Sequence, residues 1–422
     1  MLSNWAVWLS ASAVAILLII APGLRGLSRR ICRVYGVYFL VAFVGRGFIL
    51  DVVQPAPRLN STFPISTLAI AGYSSSLAVI IPLASVCSLA LFVSLNVVSR
   101  LFPARPLIYR VTTSVAILTY AVGGIMRLSG LALSTTADWS RLSSIGQTIA
   151  IATFAGVVLG TDWRAESSRI VLVMAGAELL FSFLNASKTP LLTVILILYL
   201  DPRRRKLSGR AVLAALLSTL VGFTVLQRLK GNGSQSVSDG NLLTEAYFSV
   251  TGRLDGLFAL AGAWSNGPAA YHPIGGLSSA FARALIPGWL QGGNKELAGL
   301  LWGTNVYHVY NGTSYAEGLA GEGYALLGVF GPLLWGLIGG TLLAIVLKIM
   351  GSESFFLQTI ALAFIGSTVL FERGLLGQFE QFSSAVQGAL LATVLVANFS
   401  IYGHHRRKAR DVPNEFVAPI KS

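Results

Sequence analysis

The stretch between Lys230 and Gly323 carries ionisable side chains that the apolar runs almost wholly lack, and it is also rich in Gly, Asn, Ser and aromatic residues. Such a stretch offers cations for binding phosphate, carboxylates for acid–base chemistry and imidazoles that exchange protons near neutral pH. Its ionisable residues include Glu245, Arg253, Asp255, His272, Arg283, Lys295, Glu296, His308, Glu317 and Glu322. We therefore expect the functional site to lie in this stretch.

Arg253 and Asp255 stand in the sequence Thr-Gly-Arg-Leu-Asp-Gly. A guanidinium can bind a phosphate through two parallel hydrogen bonds, while the nearby carboxylate orients it or acts on a hydroxyl. The alternative interpretation is an interfacial salt bridge that ends a helix, because such pairs are common and individually weak. The spacing alone leaves both interpretations open.

Arg283 and Lys295 flank a segment with Pro, Gly and Trp289. Two cations beside an amphipathic indole suit a lipid diphosphate, with Trp289 at the level of the headgroups. Ordinary headgroup contact is the alternative. His308 lies among aromatic and hydroxyl side chains that suit a carbohydrate surface, so it is either a general base or a structural hydrogen-bond donor.

Glu317 and Glu322 precede a predicted apolar helix. A carboxylate at the N-terminal end of a helix is favoured by the helix dipole, whatever its function. Their spacing alone therefore does not separate a catalytic role from a structural one.

The composition of the 422 residues indicates a membrane protein, since 54% are hydrophobic and only 11% are charged. The formal net charge of +14 comes from short basic loops between apolar runs, which argues against a nucleic-acid partner. Cys32 and Cys87 have no metal-ligand spacing, and the spacing supports neither a disulfide framework nor a zinc site.

About 11 apolar runs approach the roughly 20 residues that cross about 30 Å of hydrocarbon. The whole chain, 1–422, is thus predicted to be one all-α transmembrane domain, a polytopic helical bundle. The predicted spans are Trp5 to Leu24, Val34 to Val53, Tyr73 to Val98, Tyr109 to Leu133, Ser143 to Thr161, Arg169 to Leu184, Thr189 to Leu200, Ala211 to Leu229, Tyr324 to Met350, Phe355 to Phe371 and Phe379 to Tyr402. The first run lacks the flanks of a signal peptide and is predicted to be a retained helix.

Lys and Arg cluster at every second junction between these runs. Because basic loops stay on the cytoplasmic side, the N-terminus is predicted outside and the basic tail, 403–422, in the cytoplasm. Residues 230–323 then form one large extracytoplasmic loop, with short helices that lie on the membrane or dip into it. If the segments around Asn185 and Lys188 do not form a hairpin, everything downstream inverts.

Arg46, Arg127 and Glu178 fall within predicted spans. A charge in lipid is costly unless it faces a cavity or a partner, so Arg46 and Arg127 are expected to line a headgroup pocket or to extend toward the interface. Lys188 is a third cation at the outer level.

Several short motifs in the second half of the chain resemble those of the Wzy-like O-antigen and oligosaccharide repeat-unit polymerases. The resemblance spans about residues 170 to 345 and is carried by Ser187-Lys188-Thr189, Gly252-Arg253-Leu254-Asp255, the region from Arg283 through Lys295, Tyr315-Ala316-Glu317-Gly318-Leu319, Gly321-Glu322-Gly323-Tyr324 and Leu327-Gly328-Val329-Phe330-Gly331.

The resemblance implies a metal-independent glycosyltransferase of the bacterial inner membrane that needs no cofactor. Its donor and acceptor would be oligosaccharides linked to undecaprenyl diphosphate, and its partners would include a flippase and a chain-length regulator. The roles it implies are diphosphate binding and acceptor activation. By this resemblance, the diphosphate would be bound by Arg253, Arg283 and Lys295, supported by Lys188 and Arg46. The substrate site would also include Glu317 and Trp289. The candidates for the base are Asp255, His308 and Glu322.

Two other functions stay open at this level. An O-antigen ligase would use the same donor with a different acceptor. A secondary transporter would show inverted repeats and broken helices near the middle of the membrane.

Overall fold

The computed structural model describes residues 2–48, 73–132, 137–160, 167–184, 188–201, 256–267, 271, 278, 282, 286, 298–306, 317–368 and 374–410. Within these ranges the chain forms helices joined by short turns and contains no strand, which confirms the all-α prediction for this part of the protein. In chain order the helices are α1 Leu2–Ile20, α2 Gly26–Phe39, α3 Tyr73–Leu101, α4 Thr113–Ala132, α5 Ala137–Leu159, α6 Ser167–Leu184, α7 Lys188–Leu200, α8 Gly256–Asn266, α9 Ala298–Asn305, α10 Leu319–Leu327, α11 Gly331–Met350, α12 Phe355–Thr368 and α13 Leu375–Arg410.

Five helical segments of the described chain are long and apolar enough to cross a membrane. They are Gly26–Phe48, Leu77–Leu101, Leu142–Leu159, Leu319–Met350 and Leu375–Phe399, and shorter apolar helices cover Trp5–Ile20, Thr113–Ser129 and Phe355–Ile365. The chain is therefore a multi-pass membrane protein. The expected count of about 11 spans stays a prediction, and the predicted span Ala211 to Leu229 lies outside the described residues.

The segment predicted as one span from Tyr324 to Met350 consists of two helices, α10 and α11, in the structure. Glu322 in α10 and Trp335 in α11 are 13 residues apart in sequence, yet their side chains are hydrogen-bonded. A straight helix would separate them by about 20 Å, so the chain must fold back. It does so at a 3₁₀ turn, Gly328–Phe330, where Gly328 adopts a φ of 65° that suits a residue without a side chain. Hydropathy cannot distinguish this pair of packed helices from one long span.

Glycines allow close contact between the helices of the bundle core. On α11, Gly336 and Gly340 lie against backbone carbonyls of α3, and a side chain at either position would collide with Cys87 or Leu91. Gly146 on α5 lies similarly close to the backbone of α4. Small residues at such positions are typical of packed membrane helices, because close approach maximises van der Waals contact where no hydrophobic effect acts.

The turns that carry basic residues meet at one end of the bundle. Arg30 in the first half of α2 donates to the backbone oxygens of Leu200, the last residue of α7, and of Asp201. The turn at Gly351 packs against Arg105, which lies between α3 and α4. Because basic residues occur at every second junction, the turns that carry them are expected at the same end of neighbouring helices. The assignment of this end to the cytoplasm stays a prediction.

The last helix is longer than its predicted span. α13 has 36 residues, which corresponds to about 54 Å, whereas the hydrocarbon core needs only about 30 Å. It begins four residues before the predicted Phe379 and continues past Tyr402 through Arg410, so the first part of the predicted basic tail is a continuation of this helix. Residues 411–422 lie outside the described residues.

Candidate functional site

Two short helices, α8 and α10, lie side by side within the bundle. Contacts pair Gly256 with Gly318 and Ala259 with Gly321, so the two helices run in the same direction. Gly256 also packs against Tyr38 and Phe43, about 18 Å along α2 from its first residue. Leu257 and Leu319 at the two helix starts are 0% and 3% exposed. The predicted loop therefore contributes at least one helix, α8, that lies within the helical core.

This arrangement joins two segments that are far apart in sequence. Gly256 directly follows the Gly-Arg-Leu-Asp box, and Gly318 belongs to the Tyr-Ala-Glu-Gly-Leu segment. A Cβ atom at Gly256 would come within 2.5 Å of the Phe43 ring and 2.8 Å of the Tyr38 hydroxyl. Gly318 has a φ of 62°. A Cβ atom at Gly318 would lie 3.3 Å from the Cα atom of Gly256. Gly256 has no room for a side chain, and the φ of 62° at Gly318 strains any residue other than glycine, so both positions favour glycine.

Two buried carboxylates lie next to this contact and hold the start of α13. Glu322 is 0% exposed and accepts hydrogen bonds from the backbone N–H groups of Leu375 and Leu376 and, at 2.7 Å, from the indole of Trp335. Glu317 accepts the N–H of Gly374 at 3.2 Å. The first N–H groups of a helix have no partner within it, and carboxylates there also interact favourably with the helix dipole. The glutamates thus bind the N-terminus of a distant helix.

Gly374 is necessary for this geometry. A Cβ atom at that position would overlap the Glu322 carboxyl group. Without a side chain, the carboxylate reaches the N–H groups of the next two residues directly. The contact anchors α10 to α13, and through α10 it fixes the position of α8.

A second buried charged group lies between α4 and α6. Arg127 and Glu178 form an ion pair at 2.8 Å, and their side chains are 4% and 2% exposed. The Tyr120 hydroxyl donates to the other carboxylate oxygen at 2.9 Å, and the Arg127 guanidinium lies 4.4 Å from the centre of the Phe181 ring. Each charge therefore has several partners, which is the condition for keeping charges in an apolar bundle.

Arg46 follows a π-helical segment, Leu40–Gly45, that continues α2. Its side chain is only 7% exposed, so it is held within the protein. Lys188 is the first residue of α7. Of the predicted site residues, these two and the two glutamates are described. Arg253, Asp255, Arg283, Trp289, Lys295 and His308 lie outside the described residues, and their roles stay predictions.

Sequence reasoning missed three partners that the structure supplies. Trp335, the N-terminus of α13 and Tyr120 were not singled out, although the polar residues they contact were. Arg127 and Glu178 were recognised as charges that need a partner, but nothing in the sequence indicated that they pair with each other. In the described part of the chain, no group of three or more His, Cys, Asp or Glu residues is arranged to hold a metal ion.

The chain matches no family model, no curated protein and no solved structure.

Proposed function

We propose that this protein is a membrane glycosyltransferase that joins oligosaccharide repeat units carried on undecaprenyl diphosphate. The observation that supports this most directly is the packing of α8 on α10. It brings Gly256, which follows the Gly-Arg-Leu-Asp box, against Gly318 of the Tyr-Ala-Glu-Gly-Leu segment. These are two of the motifs that carry the resemblance to the repeat-unit polymerases, and their contact is expected if they serve one site.

The proposed reaction replaces one bond to the anomeric carbon by another. An acceptor hydroxyl attacks that carbon in the donor glycan, the bond from the carbon to the diphosphate oxygen breaks, and undecaprenyl diphosphate leaves with the electron pair. The hydroxyl proton passes to a protein base. Arg253, Arg283 and Lys295, with Lys188 and Arg46 in support, are proposed to bind the diphosphate and stabilise its developing charge.

Helix direction agrees with this role for the cations. α10 begins after Gly318 among buried residues and runs parallel to α8, so the positive end of its helix dipole lies within the bundle. A buried diphosphate gains from such an environment, because the low dielectric strengthens its attraction to fixed positive charge. Trp289 and Glu317 complete the proposed substrate site at the headgroup and the sugar.

Asp255, His308 and Glu322 are the candidates for the base. The Glu322 carboxylate already accepts N–H groups of α13 and the indole of Trp335. Both of its carboxyl oxygens are occupied by these contacts, so Asp255 and His308 take precedence in the proposal. Glu322 then acts as a positioning residue that holds α10 in place.

Transport is the second candidate function, and one observation favours it. Secondary transporters bind substrates at helices that are interrupted within the bundle, and α10 begins after Gly318 among buried residues. No sugar chemistry is needed in that case. The experiment below therefore separates enzyme from transporter as well as polymerase from ligase.

The test is the glycan profile of a deletion strain complemented with variants. Loss of a polymerase leaves single repeat units on the acceptor, loss of a ligase leaves unattached polymer, and an unaltered profile would rule out both. Arg253→Ala should abolish polymer at normal protein level, and Arg253→Lys should be poor if the contact is bidentate. Arg105→Ala is the matched control, because Arg105 lies in the basic turn between α3 and α4 and packs against Gly351. Normal chain-length ladders from Arg253→Ala would remove Arg253 from the site.

A further inference from the structure

A groove with a cavity volume of about 490 Å³ lies between α1 and the π-helical end of α2. It is remote from the basic end of the bundle, because it is built from the first half of α1 and the last residues of Gly26–Phe48. Its lining is almost entirely apolar and consists of Trp5, Trp8, Leu9, Ser12, Leu40, Val41, Val44, Gly45 and Phe48.

The aromatic wall of the groove is fixed by ring contacts. The Phe48 ring meets the Trp5 and Trp8 rings edge to face, at centroid distances of 6.2 and 6.0 Å. Trp8 also packs on Gly47, where a Cβ atom would come within 2.7 Å of the indole. Such contacts hold large side chains in one position at little further entropic cost. The groove therefore exists before anything binds in it.

The opposite wall is the π-helical segment, Leu40–Gly45. A π-helix is wider than an α-helix, and short π-helical segments within α-helices are frequent at functional sites. Here Ala42 and Phe43 on this segment are buried, while Leu40 and Val41 are 36% and 38% exposed and line the groove. One side of the segment thus packs into the core and the other faces the groove.

The surroundings of the groove determine what can occupy it. Leu9 on its rim is 68% exposed, and the same helix exposes Ile16 and Ile20, so the groove is continuous with the surface that lipid must cover. Trp8 and Val44, each 6% exposed, form its buried floor. Ser12 supplies the one hydroxyl of the lining besides the indole N–H groups, which is too little to hold a headgroup or a column of water.

We infer that one acyl chain of a bilayer phospholipid lies in this groove as a bound lipid. An acyl chain satisfies the apolar lining and needs no polar partner. Bilayer phospholipid is also far more concentrated than any lipid-linked intermediate, and the lining contains no cation that would select a diphosphate. The inference does not depend on the glycosyltransferase proposal.

Trp8 is a natural reporter for the occupant, because bromine atoms on an acyl chain quench tryptophan on contact. The purified protein is reconstituted in phosphatidylglycerol vesicles with increasing fractions of the same lipid brominated on its acyl chains. The Trp8 emission is the difference between the natural protein and Trp8→Phe. We expect the Trp8 emission to be quenched at lower fractions of brominated lipid than the emission of the other tryptophans.

Two matched variants test whether the groove is responsible. Val41→Phe fills the groove and should abolish the preferential quenching of Trp8. Val93→Phe places the same side chain on α3, at a 45% exposed position that does not line the groove, and should leave it unchanged.

Three results would overturn the inference. They are quenching of Trp8 that merely follows the other tryptophans, preferential quenching that survives Val41→Phe, and recovery of Trp8 emission on adding a trace of undecaprenyl phosphate. The first would mean general lipid contact only, the second a contact elsewhere, and the third an isoprenoid occupant.

Discussion

Individual polar residues in this bundle have their hydrogen bonds supplied by distant parts of the chain. Glu322 is separated from Leu375 by 53 residues and Arg127 from Glu178 by 51, yet each pair is in direct contact inside the protein. In a low-dielectric interior, a buried charge without partners is very costly. These residues therefore constrain which helices are neighbours. Their substitution should lower the free energy of unfolding, whether or not they take part in the reaction.

Glu322→Gln should destabilise the protein by about 1–3 kcal/mol, since one acceptor oxygen for the α13 N-terminus is lost and the new amide brings donors to a place already occupied by N–H groups. The measurement is thermal unfolding in detergent, followed by fluorescence that includes Trp335. Glu353→Gln is the control, because Glu353 is exposed in the turn between α11 and α12. Equal melting temperatures for the two variants would show that Glu322 does not hold α13.

For the buried ion pair, removing one partner is predicted to lower the free energy of unfolding more than removing both. Arg127→Met or Glu178→Leu alone should cost about 3–5 kcal/mol, because a buried charge is left without its counterion, whereas the double variant should recover much of the loss. A double-mutant cycle on unfolding free energies measures the coupling. Additive losses would contradict the pairing.

Helices α8 and α10 depend on their glycines for their position. Gly256 has no space for a side chain beside Phe43 and Tyr38, and Gly318 has a φ of 62° that favours glycine. The turn at Gly328 reverses the chain after α10, so α11 packs back against it. This part of the fold is thus determined by backbone contacts rather than by an amphipathic pattern.

At the element scale, Gly256→Ala should destabilise the protein by about 1–3 kcal/mol, because its Cβ atom overlaps the Phe43 ring. Gly176→Ala on α6 is the matched control, since nothing lies within 4 Å of that position, and it should be neutral or stabilising. Adding Phe43→Leu to Gly256→Ala should restore part of the loss. If the two alanine variants unfold at the same temperature, α8 is not held as described.

The whole molecule has two distinct ends. Basic turns gather at one end, whereas the buried glutamates, the Arg127–Glu178 pair and the aromatic wall of the groove lie away from it. A charge asymmetry of this kind is what orients membrane proteins during insertion. The proposed glycan chemistry requires the basic end to face the cytoplasm.

Cysteine labelling tests this orientation, and the two natural cysteines should give little background because both are buried. Ser352→Cys, in the turn that packs near Arg105, should react with a membrane-impermeant maleimide only in opened cells. Thr135→Cys, between α4 and α5, should react in intact cells. Labelling of both from the same side would refute the predicted topology, and with it the proposed function.

Apolar composition and run length were sufficient to predict a helical membrane protein, because lipid demands both locally, residue by residue. The positions of the basic loops could likewise be predicted, because the Lys and Arg residues that orient a loop lie within that loop. The positions of Glu317 and Glu322 near a helix start were also predicted, but not the helix whose N–H groups they bind.

Only the tertiary structure decided which distant segments meet. A hydropathy pattern is the same for one span and for two helices that fold back at Gly328, and a lone charge in a span does not identify its partner. The contacts of Glu322 with α13, of Arg127 with Glu178 and of Gly256 with Gly318 depend on how helices far apart in sequence pack. Packing is set by the joint fit of many side chains, and no local stretch of sequence contains that information.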